Sequence, residues 1–146
     1  MSKAYGDFKL CVAEANAFWD AACFCQHKNI DMVSPYLIAF STNLAFSAEL
    51  YLKAISIYLS PQNEFEKGHD LQKLFDCLPS EVQNEIKDAY NREFHIHEFM
   101  VFLEQNKDAF NEWRYGFAGN GSLSIHSTDF GTLVRCLKNY CKTLVG

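Results

Sequence analysis

The chain has 146 residues, a length that predicts one domain, residues 1–146, with ample material for a core. Apolar residues make up 49% and aromatics 15%, with 13 phenylalanines, so the core is dense or shares its aromatics with an interface. The formal net charge of −5 excludes a polycation that draws nucleic acid to its whole surface, and any RNA contact then needs a local patch or a groove between copies.

No run reaches the roughly 18 apolar residues of a membrane helix, and no membrane contact is expected. The start, Met1-Ser2-Lys3-Ala4-Tyr5-Gly6-Asp7, has no apolar signal core, which makes a cytoplasmic location the expectation. The six cysteines, at positions 11, 23, 25, 77, 136 and 141, form no Cys-x-x-Cys pair, and most fall within apolar helical stripes. Without an export signal they read as reduced, buried thiols.

In chain order, Asp7 can cap a first helix to about Gln26, with Phe8, Cys11, Val12, Ala15, Phe18, Trp19, Ala22 and Cys23 on its buried face. His27 to Val33 reads as a polar turn. Ser34-Pro35 then starts the dominant element, because serine can accept from a free N–H and proline lacks one. Leu37, Ser41, Leu44, Ala45, Ala48, Tyr51, Leu52, Ile55 and Leu59 recur at helical spacing, giving a helix of about 25 residues that ends at Ser60-Pro61. Phe40, Phe46, Leu50 and Tyr58 widen that stripe nearly all round, so this helix is expected at the centre, antiparallel to the first.

Gln62 to Lys67 reads as a charged loop, and Asp70 as the cap of a short helix to about Cys77. Ser80-Glu81-Val82-Gln83 has the spacing of a capping box before a surface helix to about Asn91, with Val82, Ile86, Ala89 and Tyr90 as its narrow apolar stripe. A helical pattern resumes from about His97 to Ala118 and stops at Gly119-Asn120-Gly121-Ser122. Ser122 to His126 reads as loop. A last helix starts near Thr128-Asp129 and carries Phe130, Leu133, Val134, Leu137, Cys141 and Leu144. The fold class expected is all-α, an antiparallel bundle of about five to six helices.

Within it, Ala48-Glu49-Leu50-Tyr51-Leu52-Lys53-Ala54-Ile55, followed after residues 56–67 by Gly68-His69-Asp70-Leu71 and then Leu74-Phe75, resembles the HEPN domain family. Ala109-Phe110-Asn111-Glu112-Trp113-Arg114-Tyr115 is similar to a third block of its bacterial members. The resemblance covers Phe40 to Phe117, most of the chain. It implies a small all-helical domain, a homodimer, a companion protein or a nucleotide or RNA partner, and a setting in bacterial stress or defence.

Nuclease members of that family carry an arginine and, within about two helical turns on the same helix, a histidine. They cleave RNA without metal at a dimer interface. An imidazole can take the 2′-hydroxyl proton while a guanidinium holds the phosphate. Here Arg92-Glu93-Phe94-His95-Ile96-His97 has the spacing, with Arg92 and His97 as the pair. It precedes the Trp113-Arg114-Tyr115 block instead of following it, and Glu93 stands where a neutral polar residue is usual. A set of solvated side chains at a helix boundary fits the same residues. Starting instead from Arg114 leaves no histidine within reach, with Gly119 and Asn120 in its place. Arg114 then reads as an ion-paired or ring-stacked guanidinium, or as half of a composite site.

Glu49 and Lys53 lie one turn apart, in the orientation that favours an ion pair, worth about 0.2–0.5 kcal/mol if exposed. Gly68-His69-Asp70-Leu71 reads as a turn and cap, with His69 free to bond Glu49 and lock the loop, or to touch a ligand. No metal is expected. Cys23 and His27 are four apart and His95 and His97 are close, but no second pair has zinc spacing. No phosphate-binding glycine loop is present, so no cofactor is expected. Arg135, Lys138 and Lys142 form a basic stripe on the last helix that suits its C-terminal dipole.

The sequence thus favours a non-catalytic, HEPN-like interaction module. A metal-independent RNA endonuclease with an Arg/His site is the alternative.

Overall fold

A computed structural model describes residues 3–26, 35–109 and 127–145, and these form an all-α arrangement of six helices with one two-stranded sheet. In chain order the elements are β1 (Lys3–Tyr5), α1 (Phe8–Gln26), α2 (Pro35–Leu59), β2 (Glu64–Glu66), α3 (Leu71–Asp76), α4 (Ser80–Arg92), α5 (Phe99–Gln105) and α6 (Ser127–Leu144). None of the described helices is long and apolar enough to cross a membrane.

The long apolar stripe makes α2 the centre. Leu44, Ala45, Ala48, Tyr51, Leu52, Ala54, Ile55 and Ile57 are all buried, and each large side chain among them removed from water contributes about 1.5–3 kcal/mol. Phe8 meets Tyr58, Cys11 meets Leu50, Ala15 meets Ser47 and Phe18 meets Phe46, a descending order that makes α1 and α2 antiparallel, as expected. Small residues set the closeness of that pair. Ala15 and Ala48 are fully buried, and the Ser47 hydroxyl donates to the Ala15 carbonyl at 2.9 Å. Asp7 caps α1 by accepting from the Leu10 N–H at 2.8 Å. The polar turn at 27–33 and the Ser34 cap lie outside the described residues.

Packing on the other flank is aromatic. Phe75 of α3 meets Phe99 of α5, Tyr90 of α4 crosses Phe99 edge-on, and Phe102 of α5 meets Phe130 of α6. At the far end the Tyr58 hydroxyl donates to the Leu144 carbonyl at 2.6 Å, tying α2 to α6. The narrow stripe of α4 is buried as expected, with Val82, Ile86 and Tyr90 inward. The last helix begins at Ser127.

Four expectations need correction. Residues 62–67 are not all loop: β2 pairs antiparallel with β1, Lys3 opposite Glu66, Ala4 opposite Phe65 and Tyr5 opposite Glu64. Three-residue strands carry too little alternation to stand out in sequence. Their approach is set by Asn63, which takes a left-handed backbone (φ 58°), and by the Gly6 N–H donating to Asn63 O at 3.0 Å. Second, there is no capping box at Ser80. Pro79 holds the cap position without a side-chain bond, and Ser80 lies one residue too far into the helix. The Gln83 amide instead donates to the carbonyls of Asp76 and Leu78, at 3.2 and 2.8 Å, satisfying acceptors left over at the end of α3.

Third, the helical pattern from His97 to Ala118 is not one helix. Glu98 caps α5 by accepting from the Met100 N–H, and the helix ends at Asn106. The buried Asn106 amide bonds back to the Phe102 carbonyl at 2.8 Å, the competition by which asparagine breaks helices. Residues 110–126, including the Gly119–Ser122 stop, lie outside the described residues. Fourth, the cysteines are all free thiols, but only Cys25, Cys136 and Cys141 are buried. Cys11 and Cys23 are half-buried and Cys77 is exposed.

Candidate functional site

Residues 48–55 and 68–75 bring Glu49, Lys53 and His69 together. Glu49 and Lys53 follow each other by one turn of α2, and their pair closes at 2.9 Å. It is not the exposed pair that spacing alone suggests. The Glu49 side chain is 1% exposed and that of Lys53 is 11% exposed, because β2 covers this face of α2 and the Lys53 ammonium lies 5.7 Å from the centre of the Phe65 ring. The second Glu49 oxygen meets His69 Nδ1 at 2.8 Å, as expected.

The local chain sets His69 in place. Gly68 has φ +106°, a backbone that side-chain-bearing residues rarely adopt, and it turns the chain toward α2. Asp70 then caps α3 by accepting from the Lys73 N–H at 3.0 Å, while Leu71, Leu74 and Phe75 anchor that helix in the core. The Leu71 N–H donates to Lys107 O at 2.9 Å, holding the turn from behind. His69 is therefore fixed from both sides. Asp70 acts as a cap in this arrangement. A buried carboxylate needs such partners: removing one side of a buried ion pair typically costs about 3–5 kcal/mol.

These three side chains line a cavity of about 380 Å³ between α1, α2 and β2. Its walls include Leu10, Phe46, Leu50, Ile57 and Phe65, with Asp7 and Glu14 also lining it. Gly6 closes one end so tightly that a Cβ there would stand 2.6 Å from Ile57 Cδ1. Cys11 is the one thiol in the lining. Burial pushes its pKa up to about 11, with Glu14 and Glu49 adding to the rise and Lys53 opposing it. Its Sγ lies 3.1 Å from the Leu50 carbonyl, as a donor. At neutral pH it is a protonated, hydrogen-bonded thiol and a poor nucleophile. The cavity combines apolar walls with a few fixed polar groups, the usual make-up of a small-ligand site.

The Arg92 and His97 expectation meets a different geometry. The family pattern needs both on one helix, but Arg92 is the last residue of α4 and His97 follows the helix end at Glu93. His97 is drawn to α6. Its Nδ1 lies 2.6 Å from Asp129 Oδ2, its N–H donates to the same oxygen at 3.0 Å, and the Ile96 N–H donates to Oδ1 at 2.7 Å. The Tyr90 hydroxyl donates to the His97 carbonyl at 2.9 Å. Burial works to raise the Asp129 pKa, but the Ile96 N–H and the His97 ring and N–H outweigh it and hold the carboxyl below its ordinary value.

Arg92 itself lines a cleft of about 410 Å³ between α4 and α6 together with Glu85, Asp88 and Glu93, and His97 is not part of that lining. Three carboxylates beside one guanidinium make a poor phosphate site. On α6, Arg135 approaches Glu93 at 3.8 Å and Lys138 lies 5.9 Å from the centre of the Trp19 ring, so two members of the basic stripe have partners. Arg114 and His27 lie outside the described residues. Among the described residues no group of three or more metal-ligating side chains comes together.

Two parts of these sites were not read from the sequence. Phe65 and Tyr5 reach the cavity through the small sheet. Asp129 was read only as a helix-start residue, and nothing local marks its bond across 32 residues to His97. In comparisons with known proteins, no family model matches the chain, and no curated protein or solved structure matches it.

Proposed function

We propose that this chain is a non-catalytic binding module of HEPN-like type, which works as a homodimer and binds through the cavity beside α1 and α2. The observation that supports it is the contrast between its two histidine sites. His69 lies with Glu49 and Lys53 on a cavity with apolar walls. His97 is committed to Asp129 and is not part of the lining of the cleft that holds Arg92. RNA cleavage by the Arg/His route needs a base and a phosphate-holding cation in one place.

An RNA-cleavage assay in EDTA tests this reading on the wild type, an Arg92→Ala/His97→Ala variant and an Arg114→Ala variant, each checked for folding. No cleavage by the wild type is expected. Wild-type cleavage that disappears in either folded variant would overturn the proposal in favour of a metal-independent endonuclease and identify its arginine. Light scattering on the purified chain checks the dimer, and a monomer at micromolar concentration would remove that part.

A further inference from the structure

The cavity beside α1 also says what kind of molecule suits it. At about 380 Å³ it falls at the small end of ligand sites. Two large apolar side chains in its lining are left in water, Tyr5 at 74% and Leu10 at 60% exposed. Such exposure next to a concave apolar wall marks a surface that gains by being covered.

Its charges are unbalanced. Asp7, Glu14 and Glu49 face Lys53 and His69, and Glu49 already holds both of those cationic or basic groups. Asp7 is engaged in capping α1. Glu14 is exposed and makes no ion pair among the described residues. At Cys11 in the wall burial dominates the upward pKa shift, with Glu14 and Glu49 adding to it and Lys53 opposing it, in keeping with that excess of carboxylates. A cation is therefore more welcome than an anion.

Resting on the binding-module reading, we propose that the cavity between α1, α2 and β2 binds a small primary ammonium with an aromatic or aliphatic body. The ammonium pairs with Glu14, and the body lies between Leu50 and Phe65. Apolar contact supplies affinity, and the carboxylate supplies the preference for charge.

Three probes of similar size separate these contributions: 2-phenylethylammonium, the neutral 2-phenylethanol and the anionic 3-phenylpropionate. Each is titrated into the full chain at millimolar concentration while backbone amide NMR signals are followed. Saturable shifts centred on Leu10, Cys11, Leu50 and Phe65 are expected, with the ammonium binding about fivefold tighter than the alcohol and the anion weakest. Glu14→Gln, an exposed change that leaves the core intact, should bring the ammonium down to the level of the alcohol. Equal affinities, a tighter anion or an unchanged preference in Glu14→Gln would each overturn the inference. So would the absence of shifts at these amides with any probe, and that result would leave the outcome of the RNA assay as it stands.

Discussion

Two histidine–carboxylate pairs join distant parts of this chain, and they are built in opposite ways. Asp129 is filled mainly by the backbone: the Ile96 and His97 N–H groups and the His97 ring converge on it, fastening the segment between α4 and α5 to the start of α6. Glu49 is filled by side chains, Lys53 on one oxygen and His69 on the other, and all three line a cavity. Backbone donors cannot leave without moving the chain, whereas the donors to Glu49 are side chains that keep the buried carboxylate paired and at the same time line a cavity. The first arrangement is suited to fastening and the second to binding.

Glu49→Ala is expected to give the largest stability loss. It leaves the Lys53 ammonium nearly buried with no carboxylate, which costs about 3–5 kcal/mol in a urea denaturation series. Adding Lys53→Met to Glu49→Leu should recover most of that loss, since an apolar pair of similar volume replaces a buried ion pair at little cost. If Glu49→Ala costs under about 1 kcal/mol, the cluster behaves as an exposed pair and the contrast with Asp129 fails.

Asp129→Asn is expected to cost less, about 1–3 kcal/mol, because the amide keeps the shape but offers one acceptor where the carboxylate offers two. Its pH dependence is the sharper readout. Asp129 titrates lower in the folded chain than its ordinary value of 3.8, so its contribution is complete above that value and is lost as pH falls through the lower folded one. Urea midpoints measured between neutral and strongly acid pH should drop at the acid end more steeply for the wild type than for Asp129→Asn. Parallel curves would mean that Asp129 gains nothing from its donors.

The contrast also shows what a sequence can carry. Periodicity placed α1, α2 and α6 because each is long enough for its stripe to repeat several times. The Glu49–Lys53 spacing and the Asp70 cap are local, and both were legible from neighbouring residues. What covers them is not local. β1 and β2 lie about sixty residues apart in sequence and pair over only three residues each, so nothing announced that Lys53 would be shielded by Phe65. The Arg92–His97 spacing carries as little about its surroundings, because the chain leaves α4 at Glu93 to reach Asp129 on a helix still to come.

The smallest effect expected is electrostatic, and a thiol in the lining of each of the two clefts reports it. Cys11 lies in the lining of the first cavity and Cys136 in that of the Arg92 cleft, and burial pushes both up to about 11. At pH 8 roughly one thiol in a thousand at either site is ionised, so iodoacetamide should label the exposed Cys77 long before them. Glu14 adds to the rise at Cys11, and Glu93, with Arg135 and Arg92 opposing it, does so at Cys136. Glu14→Gln should therefore speed alkylation of Cys11 and leave Cys136 unchanged, and Glu93→Gln should do the reverse. Alkylation rates resolved by peptide mass spectrometry read both at once. A variant that speeds both thiols equally has loosened the fold, and the two regions would then share one opening motion instead of answering separately to their own charges.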